Sequence, residues 1–317
     1  MPVSSGWRIL LRMNFLPTHI RRINRGFTII ELLVVIAIIV LIAALLIPAL
    51  GKAYRSAMSS EDKTKARGIH SALMLFASGN EGQFPRPSTV TQGYESVDHD
   101  TTDTTANLMS FMIARRYFNT DLVISPVEAN PNIQDMNVHA ELSAGDTHEY
   151  YDYESIDGRD VFWDDAFSGD IEAATAASPA NNSYAHQALC GQRIRLKWHS
   201  SAGSSDIIIS NRGPRDGDVG TTGDTESFTF KFHTSADEWA GNIVLGDGSS
   251  RFVNSVFPDG IAYQPLNGYP LGPDNIFNTD WNDITVATAP LGMPSGDNWM
   301  VICSEWIGED EITPVWD

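Results

Sequence analysis

The chain has 317 residues, with 21 Lys and Arg against 40 Asp and Glu, a formal net charge of −19 and a pI near 4.6. Its 42% of apolar residues is too high for a disordered chain. So acidic a chain lacks the Lys/Arg clusters that phosphate neutralisation needs, and no nucleic-acid partner is expected. Two cysteines exclude a disulfide-rich scaffold and a zinc site of four thiolates.

The charge is unevenly spread. Residues 1–26 hold Arg8, Arg12, Arg21, Arg22 and Arg25 and no acid, a charge of +5, while the other 291 residues carry −24. A basic leader, an apolar run and an acidic body describe a chain inserted in a membrane with its N-terminus in the cytoplasm and its C-terminal part exported. The apolar run, residues 27–50, reads FTIIELLVVIAIIVLIAALLIPAL and contains one charge, Glu31. As a helix it spans about 36 Å, enough for the hydrocarbon layer. A cleaved secretory signal is one reading, and Ala49-Leu50-Gly51 offers small residues for it. The run exceeds the roughly 7–15 residues of a signal core, however. A plain signal anchor fits the length but leaves Glu31 without a reason. A charge at mid-membrane costs about 2.5–3.5 kcal/mol, less near the interface, so Glu31 is a candidate functional residue.

The string Arg25-Gly26-Phe27-Thr28-Ile29-Ile30-Glu31, followed by an unbroken apolar helix, resembles the processing motif of type IV prepilins and type II secretion pseudopilins. Pro48 resembles the helix-kinking proline of pilin stems. The resemblance implies that a prepilin peptidase cuts between Gly26 and Phe27 and N-methylates Phe27. It implies partners as well: other pilin or pseudopilin subunits met through the N-terminal helix, an inner-membrane secretion or pilus platform, and inner-membrane lipid. An isolated carboxylate and an isolated ammonium are both costly in an apolar medium. Glu31 of one subunit can therefore neutralise the Phe27 amine of a neighbour and set the axial register of a filament.

After Pro48 the pattern becomes amphipathic. Ile69, Ala72, Leu73 and Phe76 follow helical spacing, and Glu61 to Arg67 before them are read as a polar surface. One helix is predicted from about residue 28 to about 78, bent at Pro48 and weakened at Gly51 and Gly68. Gly79-Asn80-Glu81-Gly82 stops it. Beyond it, Arg193 to Trp198 and Phe228 to Phe232 alternate and are predicted as strands, and Ile207-Ile208-Ile209 as a buried strand. Residues 242–245 and 251–253 around Gly246-Asp247-Gly248-Ser249 are predicted as a hairpin, and Met300 to Cys303 as a further strand. The predicted fold class is α+β: a long N-terminal helix, half membrane-spanning and half amphipathic, packed on an antiparallel β-sheet head, as in pilins. The predicted divisions are a leader (1–26), a transmembrane or filament-core helix (27–50), an amphipathic stem (51–80) and an exported head (81–317).

The head carries a second resemblance, to the large pseudopilin-like proteins of planctomycetes. Its residues are His233, Asp247 and Gly248, with Gly82-Gln83-Phe84-Pro85 and Ser210-Asn211-Arg212-Gly213-Pro214. His233 and Asp247 lie 14 residues apart, farther than in that family, and the residues themselves read as a strand-end histidine and a tight turn. Residues 91–175 hold 18 acids against Arg115, Arg116 and Arg159 and are read as an acidic insertion or loop region, either a partner or cation surface or a solvated face.

No nucleophile elbow, zincin, P-loop or dinucleotide-binding string occurs in the exported part, and no cofactor is expected. The one metal reading is calcium at Asp216, Asp218 and Asp224 in a Gly-rich loop, set against a solvated turn. Cys190 and Cys303 are candidates for a disulfide in an oxidising compartment. The expected function is that of a non-enzymatic pilin-like subunit of a type II secretion pseudopilus or type IV pilus-like filament. It would sit in the bacterial inner membrane as a single-pass protein and join a filament on assembly. The alternative is a membrane-anchored exported ligand-binding protein or enzyme.

Overall fold

The computed structural model describes residues 27–92, 102–137, 151–152, 162–219, 227–233, 238–263, 272–278, 297–308 and 311–316. The chain divides into two units at Lys52. The first is dominated by the start of helix α1 (Ile29–Ser78), which runs through Pro48. Its side chains are apolar on every side, and Phe27, Ile29 and Leu50 are 78%, 85% and 70% exposed. None of its most apolar 18-residue stretch is buried. By length and composition this helix is apolar enough to cross a membrane.

In the second unit α1 becomes amphipathic. Ile69, Leu73 and Phe76 turn inward and form a core with Leu108, Met109, Met112 and Ile113 of α3 (Thr105–Ala114). Burying each such side chain stabilises the head by about 1.5–3 kcal/mol. A Cβ at Gly68 would stand 3.1 Å from Leu122 Cδ1, so the glycine lets the 3-10 turn Thr120–Val123 close onto the helix. The helix ends as its sequence predicts. Glu81 and Gly82 adopt positive φ of 54° and 80°, and Gly82 N donates to Ala77 O at 3.0 Å. A single turn, α2 (Pro87–Val90), follows.

The sheet has five antiparallel strands in the order β4 (Ser250–Val253), β3 (Gly241–Leu245), β2 (Ile207–Asn211), β1 (Tyr184–Gln187), β7 (Met300–Val301). Two short pairs complete the strands, β5 (Ala262–Tyr263) with β6 (Gly272–Pro273) and β8 (Cys303–Gly308) with β9 (Glu311–Pro314). The pleat divides the side chains of β3: Val244 joins the α1–α3 core, while Ile243 and Leu245 join a second core with Trp239, Phe277 and Trp316. The sheet is thus a middle layer, with helices on one face and C-terminal segments on the other. This is the predicted α+β arrangement, and the predicted hairpin 242–253 forms as β3 and β4 in register.

Three local expectations are corrected. Arg193 to Trp198 is a helix, α4 (Gln192–Leu196), not a strand. Its inward residues are Arg193 and Lys197, four apart, while Leu196 is exposed. Ion pairs with Asp297 and Asp206 make that inversion tolerable. Phe228 to Phe232 is a 3-10 turn, because the Ser227 hydroxyl caps it by accepting from Thr229 N. The acidic stretch is not all solvated face: α3 and Ile133, Phe162, Trp163 and Phe167 are buried in the cores.

Candidate functional site: the N-terminal motif and the stem

Helix α1 begins with a reciprocal cap. Thr28 N and Thr28 Oγ1 both donate to Glu31 Oε2, at 2.8 and 2.9 Å, and Glu31 N donates to Thr28 Oγ1 at 3.2 Å. This is a Thr-x-x-Glu capping box at the mouth of an apolar helix. It gives the single carboxylate of the segment two donors within its own chain. Thr28 went unread in the sequence, although Thr followed by Glu three residues later, just before an apolar run, is the signal for it. Phe27 immediately precedes the cap and is exposed. Gly26 and the leader lie outside the described residues. Pro48 lies inside the continuous helix.

Where the stem meets the sheet, the structure departs from the sequence reading. Asp62, read as surface, is fully buried. Its Oδ1 accepts from Tyr184 Oη at 2.8 Å, from Asn211 Nδ2 at 3.1 Å and from the Ser125 hydroxyl, and its Oδ2 accepts from Asn242 Nδ2 at 2.6 Å. All four donors are neutral, and they come from three elements and a loop. Burial, followed by the Asp62 charge, raises the Tyr184 phenol well above its usual value, so it remains a donor. The Ser210–Pro214 segment singled out in the sequence supplies Asn211 to this network. It also supplies Arg212, which pairs with Glu128 at 2.7 Å.

Of the remaining candidate residues, Asp247 and Gly248 occupy the β3–β4 turn. Gly248 has φ of 79°, which makes glycine the fitting residue, and Asp247 Oδ1 accepts from Ser249 N at 2.9 Å. Those Ser249 hydrogen bonds hold the Asp247 carboxyl below its usual range. The imidazole beside this turn belongs to His70 of α1: a Cβ on Gly248 would lie 3.7 Å from His70 Cε1. His233 instead packs edge-on against Phe252, ring centroids 4.8 Å apart, and burial lowers its pKa. Cys190 and Cys303 are both buried in one small cluster with Val301 and Ile312. Burial pushes the Cys303 thiol up to about 12. Asp216 is exposed at positive φ, Asp218 is half-buried, and Asp224 lies outside the described residues. Among the described residues no group of three or more His, Cys, Asp or Glu side chains is disposed to hold a metal ion.

Residues 21–47 match the family model described as the prokaryotic N-terminal methylation motif. No curated protein and no solved structure matches the chain. Basic residues, Gly26, Phe27, Glu31 and an uncovered apolar helix thus form a prepilin-type methylation motif at the head of an α+β fold. Over that N-terminal segment the chain is similar to type IV prepilins and pseudopilins.

Proposed function

We propose that this chain is the precursor of a structural filament subunit rather than an enzyme. Prepilin peptidase cuts it after Gly26 and methylates the Phe27 amine. Helix α1 anchors it in the inner membrane with the head exported, and then packs with α1 helices of other copies in a type IV pilus-like filament or a type II secretion pseudopilus. The observation that carries this reading is the continuity of the methylation motif with an apolar helix whose most apolar stretch is unburied among the described residues. Glu31 has a defined part in it. Before assembly its carboxylate rests on Thr28. In the filament it neutralises the Phe27 ammonium of an adjacent copy, and removing one member of such a buried pair costs about 3–5 kcal/mol.

Glu31→Leu tests this. The variant should reach the membrane at wild-type level with an intact head, because an apolar residue inserts more readily than a carboxylate. It should give little sheared filament and weak stem-to-stem crosslinking. Wild-type yields of either would contradict the charge-pair role.

A further inference from the structure

A cavity of about 580 Å³ opens beside the stem helix within the head unit. Its walls come from one face of α1, the Pro126–Glu128 loop, the segment Lys231–His233 and Phe252 of β4. The α1 face is Arg55, Ser59 and Lys63, spaced four apart, with Ser56 beside them, so two turns present a cation at each end and hydroxyls between. Lys231 adds a third cation, its ammonium 4.2 Å from the centroid of the Phe228 ring. None of these three cations makes an ion pair or hydrogen bond within the described residues. The one acid in the wall, Glu128, is already neutralised: Arg212 donates to both its oxygens, and Ala129 N and Asn130 N donate to Oε1. The floor is apolar, formed by Val127, Phe232 and Phe252.

In a chain whose net charge is −19, three uncompensated cations around a concave, partly aromatic site are a local reversal of sign. Lys and Arg with adjacent hydroxyls are the donors that phosphate oxygens take, and the volume is that of a small-molecule site. We propose that this cavity binds a phosphate monoester carrying a small apolar group, with the phosphate between Arg55, Lys63 and Lys231 and the apolar group on Phe232 and Phe252. A phospholipid headgroup and a soluble organic phosphate share this chemistry. The proposal goes beyond the filament reading and does not depend on it.

The test is calorimetric titration of the full chain, purified in a neutral maltoside detergent, with phenyl phosphate, dihexanoylphosphatidic acid and inorganic phosphate. Heats into empty micelles are subtracted. Saturable one-site binding of phenyl phosphate or of the short-chain lipid is expected. Affinity should fall about tenfold or more in Lys63→Gln and in Lys231→Gln, as loss of a charged hydrogen-bond donor implies. It should recover in Lys63→Arg and stay unchanged in Arg67→Gln, which alters a cation of the same helix outside the cavity. Tighter binding of phenyl phosphate assigns a soluble ligand, and tighter binding of the lipid assigns a headgroup. The proposal is overturned if neither ligand saturates, or if both Gln variants bind like wild type. It is overturned too if inorganic phosphate binds as tightly as phenyl phosphate. Loss of self-association in Lys63→Gln without ligand binding would also overturn it and make the cavity an interface for the acidic surface of a second copy.

Discussion

Asp62 sits in α1 out of contact with water and receives hydrogen bonds from Ser125, Tyr184, Asn211 and Asn242. Replacing it with Ala leaves the Ser125, Asn211 and Asn242 donors without the carboxylate and Tyr184 with only the Asp62 backbone carbonyl at 3.4 Å, at a cost of about 1–3 kcal/mol for each donor that water cannot reach. Asp62→Ala should therefore destabilise the head by at least about 3 kcal/mol, read as a lower urea midpoint of the full chain in detergent. Asp62→Leu, which keeps the branched shape and leaves no void, should do no better, because the loss lies in the donors. A midpoint unchanged in both would show that the network contributes nothing. Asp62 was legible in part: 62, 66, 69, 73 and 76 continue one helical stripe, but Glu61 and Lys63 on either side make the string read as surface. Glu31 was plain because it is one charge in an apolar run. Its partner Thr28 was less plain, since its one signal is the Thr-x-x-Glu spacing and a hydroxyl there carries no contrast in hydropathy.

At the scale of elements, the hydrophobic pattern located those whose faces differ in polarity and missed those held by polar contacts. Helix α1, β2 and the β3–β4 hairpin announce themselves by period. Strand β1, Tyr184–Gln187, does not, because His186 and Gln187 are buried in mid-sheet. His186 is held by a chain of bonds. The Gln187 carbonyl can only accept, so Nδ1 carries the proton and, in the neutral ring, Nε2 accepts from the Thr105 hydroxyl at 2.8 Å, while Thr105 Oγ1 accepts from Cys303 N. That chain ties α3 and the C-terminal segment to the sheet and requires a neutral imidazole. Burial lowers the pKa of His186 from 6.5 to about 4. The unfolded chain therefore binds more protons than the folded one between those values. The stability from His186 is fully present above about pH 6.5 and is lost as pH falls toward 4. From pH 7.5 to pH 5 this one group should remove about 2 kcal/mol, with the lowered pKa values of His70 and His233 adding in the same direction. Urea midpoints at the two pH values measure it, and His186→Gln should flatten the dependence. Equal slopes in wild type and variant would place the proton uptake elsewhere.

Over the whole molecule, the +5 leader and the −24 remainder predict a cytoplasmic N-terminus and an exported head; the acidic head is a packed unit with its own cores, and none of the most apolar stretch of α1 is buried. On that orientation, protease added to spheroplasts should digest the head and spare a leader-proximal fragment. Protection of the head would reverse the topology. The class of fold and the N-terminal methylation motif were both legible in the sequence, because a hydrophobic period and a short contiguous string carry them. The cavity beside the stem was not, because Arg55, Lys63 and Lys231 meet only through the packing of α1 on the head. The central claim, that this is a pilin-like precursor matured at Gly26–Phe27, is tested most directly by the mass of the N-terminal peptide from membrane-extracted protein. The account predicts a chain that begins with N-methylated Phe27, and leader retention in Gly26→Val. An N-terminus at Met1, or one generated after Gly51, would contradict it.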